Sequence, residues 1–207
     1  MKLTAIPDLF YWSVYQPDRR IDFNGFYWRR PDGGVLIDPM PTDPQTEQWL
    51  EQQPGGVAWI LLSNADHVRA GPQLRTRFGA AMLAPLGDQG ALGLEPDAWF
   101  APDHPLPTSL RDDIRVAWLR GGKTPAEAAF YLAPLRALVF GDAVRSHASG
   151  ILRLLPDEKI QDRAALARDI TALAVLDVAA VLLGDGDCLF TGAHAAFAQL
   201  VGELEAN

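Results

Sequence analysis

Leu61-Leu62-Ser63-Asn64-Ala65-Asp66-His67-Val68-Arg69-Ala70-Gly71 closes an apolar run that begins at Val57. A run of that length and composition reads as a strand, Val57 to Leu62. The Ser, Asn and Asp that follow are turn formers, and Pro72 suits the first turn of a helix. The stretch is therefore a strand-turn-helix connection with a carboxylate and an imidazole, Asp66 and His67, just beyond the strand's carboxyl end.

The layout recurs three times. Gly34-Val35-Leu36-Ile37 runs into Asp38, Phe140-Gly141 into Asp142, and the last apolar strand, Val178 to Leu183, through Gly184 into Asp185. A single Asp after a strand is an ordinary turn residue. Four of them predict a shared rim, because open α/β sheets carry their functional groups beyond strand carboxyl ends.

Elsewhere, Phe10, Trp12 and Val14 alternate, and Phe26 and Trp28 follow Asn24-Gly25, which predicts strands joined by a turn around Pro17 to Arg20. Asp43-Pro44 reads as an N-cap and first helical residue for a helix through Trp49 and Leu50. Ile114 to Leu119, Ala128 to Leu132 and Ala137 to Phe140 read as strands. Asp162 caps a helix with Leu166, Ile170 and Leu173 at helical spacing, and Phe197, Leu200, Val201 and Leu204 stripe a terminal helix. Strands clustered at the front and middle, with helices between and after, predict a layered α/β fold with some antiparallel pairing. The 207 residues suit one domain, residues 1–207.

The chain is 48% hydrophobic and 21% charged, with a formal net charge of −8. No basic cluster interleaved with aromatics offsets that charge, which argues against nucleic acid and anionic membrane as partners. The apolar residues near the N-terminus are too few for a signal peptide. The longest apolar stretch, Ile170 to Leu183, is interrupted by Asp177 and is too short to span a bilayer. The single cysteine, Cys188, suits a reducing compartment, so a cytoplasmic protein is expected. A homo-oligomer is compatible with this composition.

The motifs, taken in order, resemble those of the metallo-β-lactamase superfamily. Leu62-Ser63-Asn64-Ala65-Asp66-His67 stands where that family has His-x-His-x-Asp-His. Gly122-Lys123-Thr124-Pro125 resembles its Gly-His-Thr-Pro, Gly141-Asp142 its metal-bridging Gly-Asp, and Gly184-Asp185-Gly186 its Gly-His-Gly. Val35-Leu36-Ile37-Asp38-Pro39 matches its early strand, whose Asp is structural in the family. The resemblance runs from about residue 20 to 200 and implies an αββα sandwich.

The departures matter more for chemistry. Leu62, Asn64 and Lys123 replace the three histidines of the family's first metal site. Leucine cannot ligate, an amide binds transition metals poorly and an ammonium repels a cation, so no two-metal centre is expected. The resemblance leaves Asp66, His67, Asp142 and Asp185 as ligands for at most one divalent ion, Zn, Mn or Fe, or for none. The three carboxylates and Lys123 sum to minus two, which a divalent ion would neutralise. Without one, Lys123 is expected to pair with Asp142, and its removal to cost on the order of 3 kcal/mol.

Two functions follow. One is an atypical mononuclear hydrolase of unspecified substrate, with Asp66 or Asp142 orienting a metal-bound water and Lys123 supplying charge. The other is a non-catalytic descendant that binds a small molecule or a protein. The motifs are compatible with both an enzyme and a binding protein. Arg145 and His147, on a segment read as leaving the rim as a loop, are candidates for holding an anionic substrate. His104 reads as surface, Cys188 as buried and inert, and Leu154 to Lys159 as a strand end entering a turn without chemistry. A minor alternative is a haloacid-dehalogenase-type phosphatase. Gly184-Asp185-Gly186-Asp187 and Asp38-Pro39-Met40-Pro41-Thr42 resemble its motifs, although Met40 replaces the general acid that such chemistry needs.

Overall fold

The computed structural model describes residues 1–206 and divides into two compact units, Met1–Leu106 and the chain from Pro107 onward. The first unit is built on a seven-stranded sheet in sequence order: β1 (Lys2–Leu3), β2 (Leu9–Gln16), β3 (Ile21–Trp28), β4 (Gly34–Ile37), β5 (Val57–Leu61), β6 (Ala81–Pro85) and β7 (Ala98–Phe100). Strands β1 to β4 pair antiparallel and β4 to β7 parallel. The β2–β3 hairpin turns where Pro17 to Arg20 predicts it, with the Arg20 amide donating to the Gln16 carbonyl at 2.8 Å.

Helix α1 (Pro44–Glu51) starts at the predicted cap: Asp43 accepts from the Thr46 amide at 2.6 Å, satisfying an amide that the helix cannot. That bond holds the Asp43 carboxyl below its usual range. Helix α2 (Gly71–Phe78) carries Pro72 in its first turn and ends at Gly79 in the left-handed region. Leu36, Ile60, Leu62 and Met82 are wholly buried in this unit's core. Gly25 sits inside β3, where a β-carbon would lie 2.7 Å from the Met40 amide nitrogen, so only glycine lets the backbone after β4 approach.

The second unit holds a four-stranded sheet in the order β13-β10-β9-β8: β8 (Ile114–Leu119), β9 (Glu127–Leu132) and β10 (Ala137–Phe140) form an antiparallel meander, and β13 (Ala180–Leu183) joins β10 in parallel. A separate hairpin, β11 (Val144–Ala148) and β12 (Ile151–Leu154), follows β10. Helix α5 (Arg163–Thr171) is capped by Asp162, which accepts from the Ala165 amide at 2.9 Å. With helix α6 (Ala193–Glu205) it closes a core that includes Leu138, Phe140, Leu183 and Phe197. Short helices α3 (Gln89–Leu92) and α4 (Thr108–Arg111) complete the elements.

Five strands, β1, β6, β7, β11 and β12, escaped the periodicity reading. Strand β1 has two residues, β6 ends on a proline, β7 has three residues, β11 carries an arginine and a histidine, and β12 is only four residues long and interrupted by Arg153. Arg145 and His147 accordingly lie on a strand rather than in the expected loop. Leu154 does end a strand, and a tight turn over Asp157–Lys159 follows. No helix among the described residues is long and apolar enough to cross a membrane.

Candidate functional site

In the first unit, the parallel register Ile37↔Leu61 brings the exits of β4 and β5 side by side. Asp38 is wholly buried and takes a left-handed φ of 46°, uncommon for a residue with a side chain. Its surroundings hold it there. The Asp38 amide donates to the Leu61 carbonyl at 3.0 Å. Oδ1 accepts from the Ser63 amide at 2.8 Å, and Oδ2 accepts from the Ser63 hydroxyl at 2.6 Å. His67 Nδ1 lies 2.7 Å from Oδ2 and 3.1 Å from Ser63 Oγ.

The other ring nitrogen of His67 meets Arg69, whose Nη2 stands 3.1 Å from Nε2. A guanidinium only donates, so Nε2 accepts and Nδ1 carries the proton, donated to Asp38. The turn is tied further by Asn64, whose side chain accepts from the Asp66 amide at 2.9 Å, and by the buried Asp88, which accepts from the Ala65 amide at 2.7 Å. Asp66 itself is exposed. Leu62, at a position where the resemblance has a histidine, belongs to the hydrophobic core.

In the second unit, the parallel register Phe140↔Leu183 places Asp142 and Asp185, each two residues further on, beyond one sheet edge. Both are nearly buried, at 4% and 5% exposure. Lys123 Nζ stands 3.4 Å from Asp142 Oδ1, the expected pairing. The turn leaving β10 is organised by Glu127 at the start of β9: its Oε1 accepts from the amides of Asp142 and Ala143 at 2.8 and 2.6 Å. A β-carbon on Gly122 would come within 2.9 Å of Glu127 Oε2, so the glycine keeps room for that carboxylate. The buried Thr124 hydroxyl has no hydrogen-bond partner among the described residues.

Sequence reasoning missed Ser63, Arg69, Asp88 and Glu127. Glu127 precedes an apolar strand and looks like an ordinary solvated charge. The signal for Arg69 was its position two residues past His67, in a turn that could fold it back.

The remaining candidates fall as follows. His147 is exposed, and Arg145 is half-buried opposite Arg153 across the β11–β12 hairpin. His104 is on the surface. Cys188 is half-buried rather than buried, and its Sγ accepts from the Leu183 amide at 3.3 Å. Asp38, buried and fully engaged with Ser63 and His67, is no phosphatase nucleophile.

The donor set does not fit a metal in this arrangement. A metal-ligating imidazole offers one bare nitrogen to the ion and its N–H to a supporting acceptor. His67 has the supporting acceptor, Asp38, but a guanidinium stands at the bare nitrogen. Asp142 faces an ammonium. Among the described residues no group of three or more His, Cys, Asp or Glu is gathered so that it could hold a metal ion.

Comparisons with solved structures agree on the fold. A metallo-β-lactamase from Erythrobacter litoralis aligns with a TM-score of 0.73 at 17% identity, over 99% of this chain and 92% of that one. DIM-1 metallo-β-lactamase exposed to ceftazidime gives 0.77 at 16%, over 99% and 95%. FIM-1 from Pseudomonas aeruginosa in its mono-zinc form gives 0.68 at 18%, over 96% and 92%. Such identities establish a shared fold alone. No curated protein matches the sequence. The profile of the metallo-β-lactamase superfamily matches residues 1–204, nearly the whole sequence, and the chain belongs to that superfamily.

Proposed function

We propose that this chain is a metal-free member of the superfamily that binds a small polar molecule without hydrolysing it. The observation that carries this reading is the ion pair between Lys123 and Asp142. At the carboxylate with which the family bridges its metals, this chain supplies a cation of its own. The unpartnered, buried Thr124 hydroxyl next to Lys123 supports a polar ligand or water there, because a buried hydroxyl left without a partner is costly. The match over residues 1–204 supports treating both units as one superfamily domain. The net charge of −8 argues against nucleic acid as the ligand, and the single cysteine favours the cytoplasm.

The test is elemental analysis of protein purified without chelator, then after reconstitution with zinc or manganese, beside assays on ester, thioester, phosphoester and lactone substrates. Substoichiometric metal and no turnover above background are expected. Two tightly held equivalents would overturn the alignment of Leu62 and Lys123 with lost ligands. One tight equivalent with metal-dependent turnover would establish the second reading, a mononuclear hydrolase with Asp66, His67, Asp142 and Asp185 as ligands. That reading is favoured by Asp142 and Asp185 leaving adjacent parallel strands, nearly buried.

A further inference from the structure

Arg69 is the residue for which neither the motif reading nor the family match supplies a role. We infer that its guanidinium is a built-in plug that closes His67 to metal ions, in the place where an ion would coordinate the ring. Imidazole Nε2 has a single lone pair in the ring plane, and Arg69 Nη2 approaches it to 3.1 Å. A zinc ion on the same lone pair would sit about 2.1 Å from Nε2, which leaves roughly 1 Å between ion and guanidinium nitrogen. Both cannot be present, and two cations repel at that distance in any case. The guanidinium must leave before an ion can enter.

Its grip makes leaving costly. Arg69 Nη1 donates to the backbone carbonyl of Asn24 at 2.7 Å and to that of Asp38 at 3.3 Å. The guanidinium also packs over the Phe23 ring, 5.2 Å from its centroid. Strand β3 and the residue that follows β4 thus both hold the side chain that covers His67. The backbone is committed to the arrangement as well: Arg69 adopts a φ of 42°, a left-handed conformation that a non-glycine residue takes only when its surroundings impose it. On the far side of the ring, Asp38 fixes the tautomer that turns a bare Nε2 toward Arg69. That tautomer is the one a metal-ligating histidine needs, so His67 retains a ligand's orientation while a side chain of the same chain occupies the coordination position.

The inference rests on the metal-free reading proposed above, and the two fail differently. The experiment follows the ring nitrogens of His67 by long-range proton–nitrogen NMR in protein labelled at its four histidines, with zinc added to wild type, Arg69→Gly and Arg69→Gln. Glycine tolerates the left-handed backbone, and glutamine removes the charge while keeping a shorter polar side chain, so the pair covers the case in which one variant does not fold. The wild-type ring should show a protonated Nδ1 and a bare, hydrogen-bonded Nε2 that excess zinc leaves unmoved. In either variant zinc should shift Nε2, with affinity raised about tenfold, the scale on which a neighbour of a ligating imidazole acts. The gain should vanish when His67→Gln is added. A shift of Nε2 by zinc in wild type, or no gain in either variant, overturns the inference. Stoichiometric metal bound to wild type with His67 unmoved overturns the metal-free reading and leaves the plug standing.

Discussion

In the first unit the carboxylate that organises a strand exit, Asp38, stands at the end of its own strand and gathers Ser63 and His67 from the neighbouring one. In the second unit the same work falls to Glu127, which reaches from the start of β9 to the two amides leaving β10. Both carboxylates are wholly buried. Each lets another group be presented beside it: His67 in one unit, Asp142 in the other. Each presented group then meets a cation of the same chain, Arg69 or Lys123. The difference lies in how tightly. Arg69 is held by two carbonyls and an aromatic ring, whereas Lys123 stands at 3.4 Å from its partner with a side chain 26% exposed. A buried acid bound by several donors builds structure, and a longer, partly wetted ion pair is the one that can be exchanged for a ligand.

Substitutions that remove one member at a time would break or sharpen that comparison. Asp38→Ala should have the largest effect, about 3–5 kcal/mol of unfolding free energy in urea melts, because it orphans the Ser63 amide and hydroxyl and His67 Nδ1 inside the core. A loss below about 1 kcal/mol would show that the turn after β5 is held mainly by Asn64 and Asp88. Glu127→Gln keeps the shape and removes the charge from two hydrogen bonds to amides, and should cost about 2 kcal/mol. If it costs more than Asp38→Ala, the ranking of the two units is reversed. Lys123→Met should cost about 1 kcal/mol, less than sequence reasoning expects, since the Lys123 side chain is 26% exposed and water reaching the contact at 3.4 Å screens it.

The smallest effect is expected at the contact between Arg120 and Asp169. Burial pushes the Asp169 carboxyl up, but hydrogen bonds and charge from Arg120 more than offset this, and its pKa lies below the usual carboxylate value. A carboxyl with a lowered pKa in the folded protein adds stability that is present above its unfolded value, near about 3.9. That stability is lost as pH falls through the lowered pKa. Asp169→Asn should therefore melt slightly below wild type at neutral pH, and the two should converge in strong acid. Curves that stay parallel down to acid unfolding would show that Arg120 contributes no charge to this contact.

Much of this was legible one residue at a time. The caps at Asp43 and Asp162, the hairpin turn before Arg20 and the apolar strands ending in acids follow from local chemistry, and the structure has each of them. The motif resemblance extended those readings to a family, and Leu62, Asn64 and Lys123 led to the expectation that no two-metal centre forms. Strands β1, β6, β7, β11 and β12 were not legible, because short or polar strands are stabilised by pairing with neighbours and leave no periodic signature of their own.

The sequence by itself determined which carboxylates end which strands, since strand, turn and cap preferences act over a few residues. It also determined that Lys123 is available to neutralise an acid. Only the tertiary structure decided who neutralises what. Glu127 and Asp142 are fifteen residues apart and Arg69 and Asn24 forty-five, so neither contact has a local signal. They arise because β9 and β10 pair, and because Gly25 lets the backbone after β4 close onto β3. The same long-range packing turned His67 from a ligand in the motif into an imidazole with both nitrogens engaged. His67 and Arg69 are close in sequence, but only the fold brings the Arg69 guanidinium to 3.1 Å from Nε2.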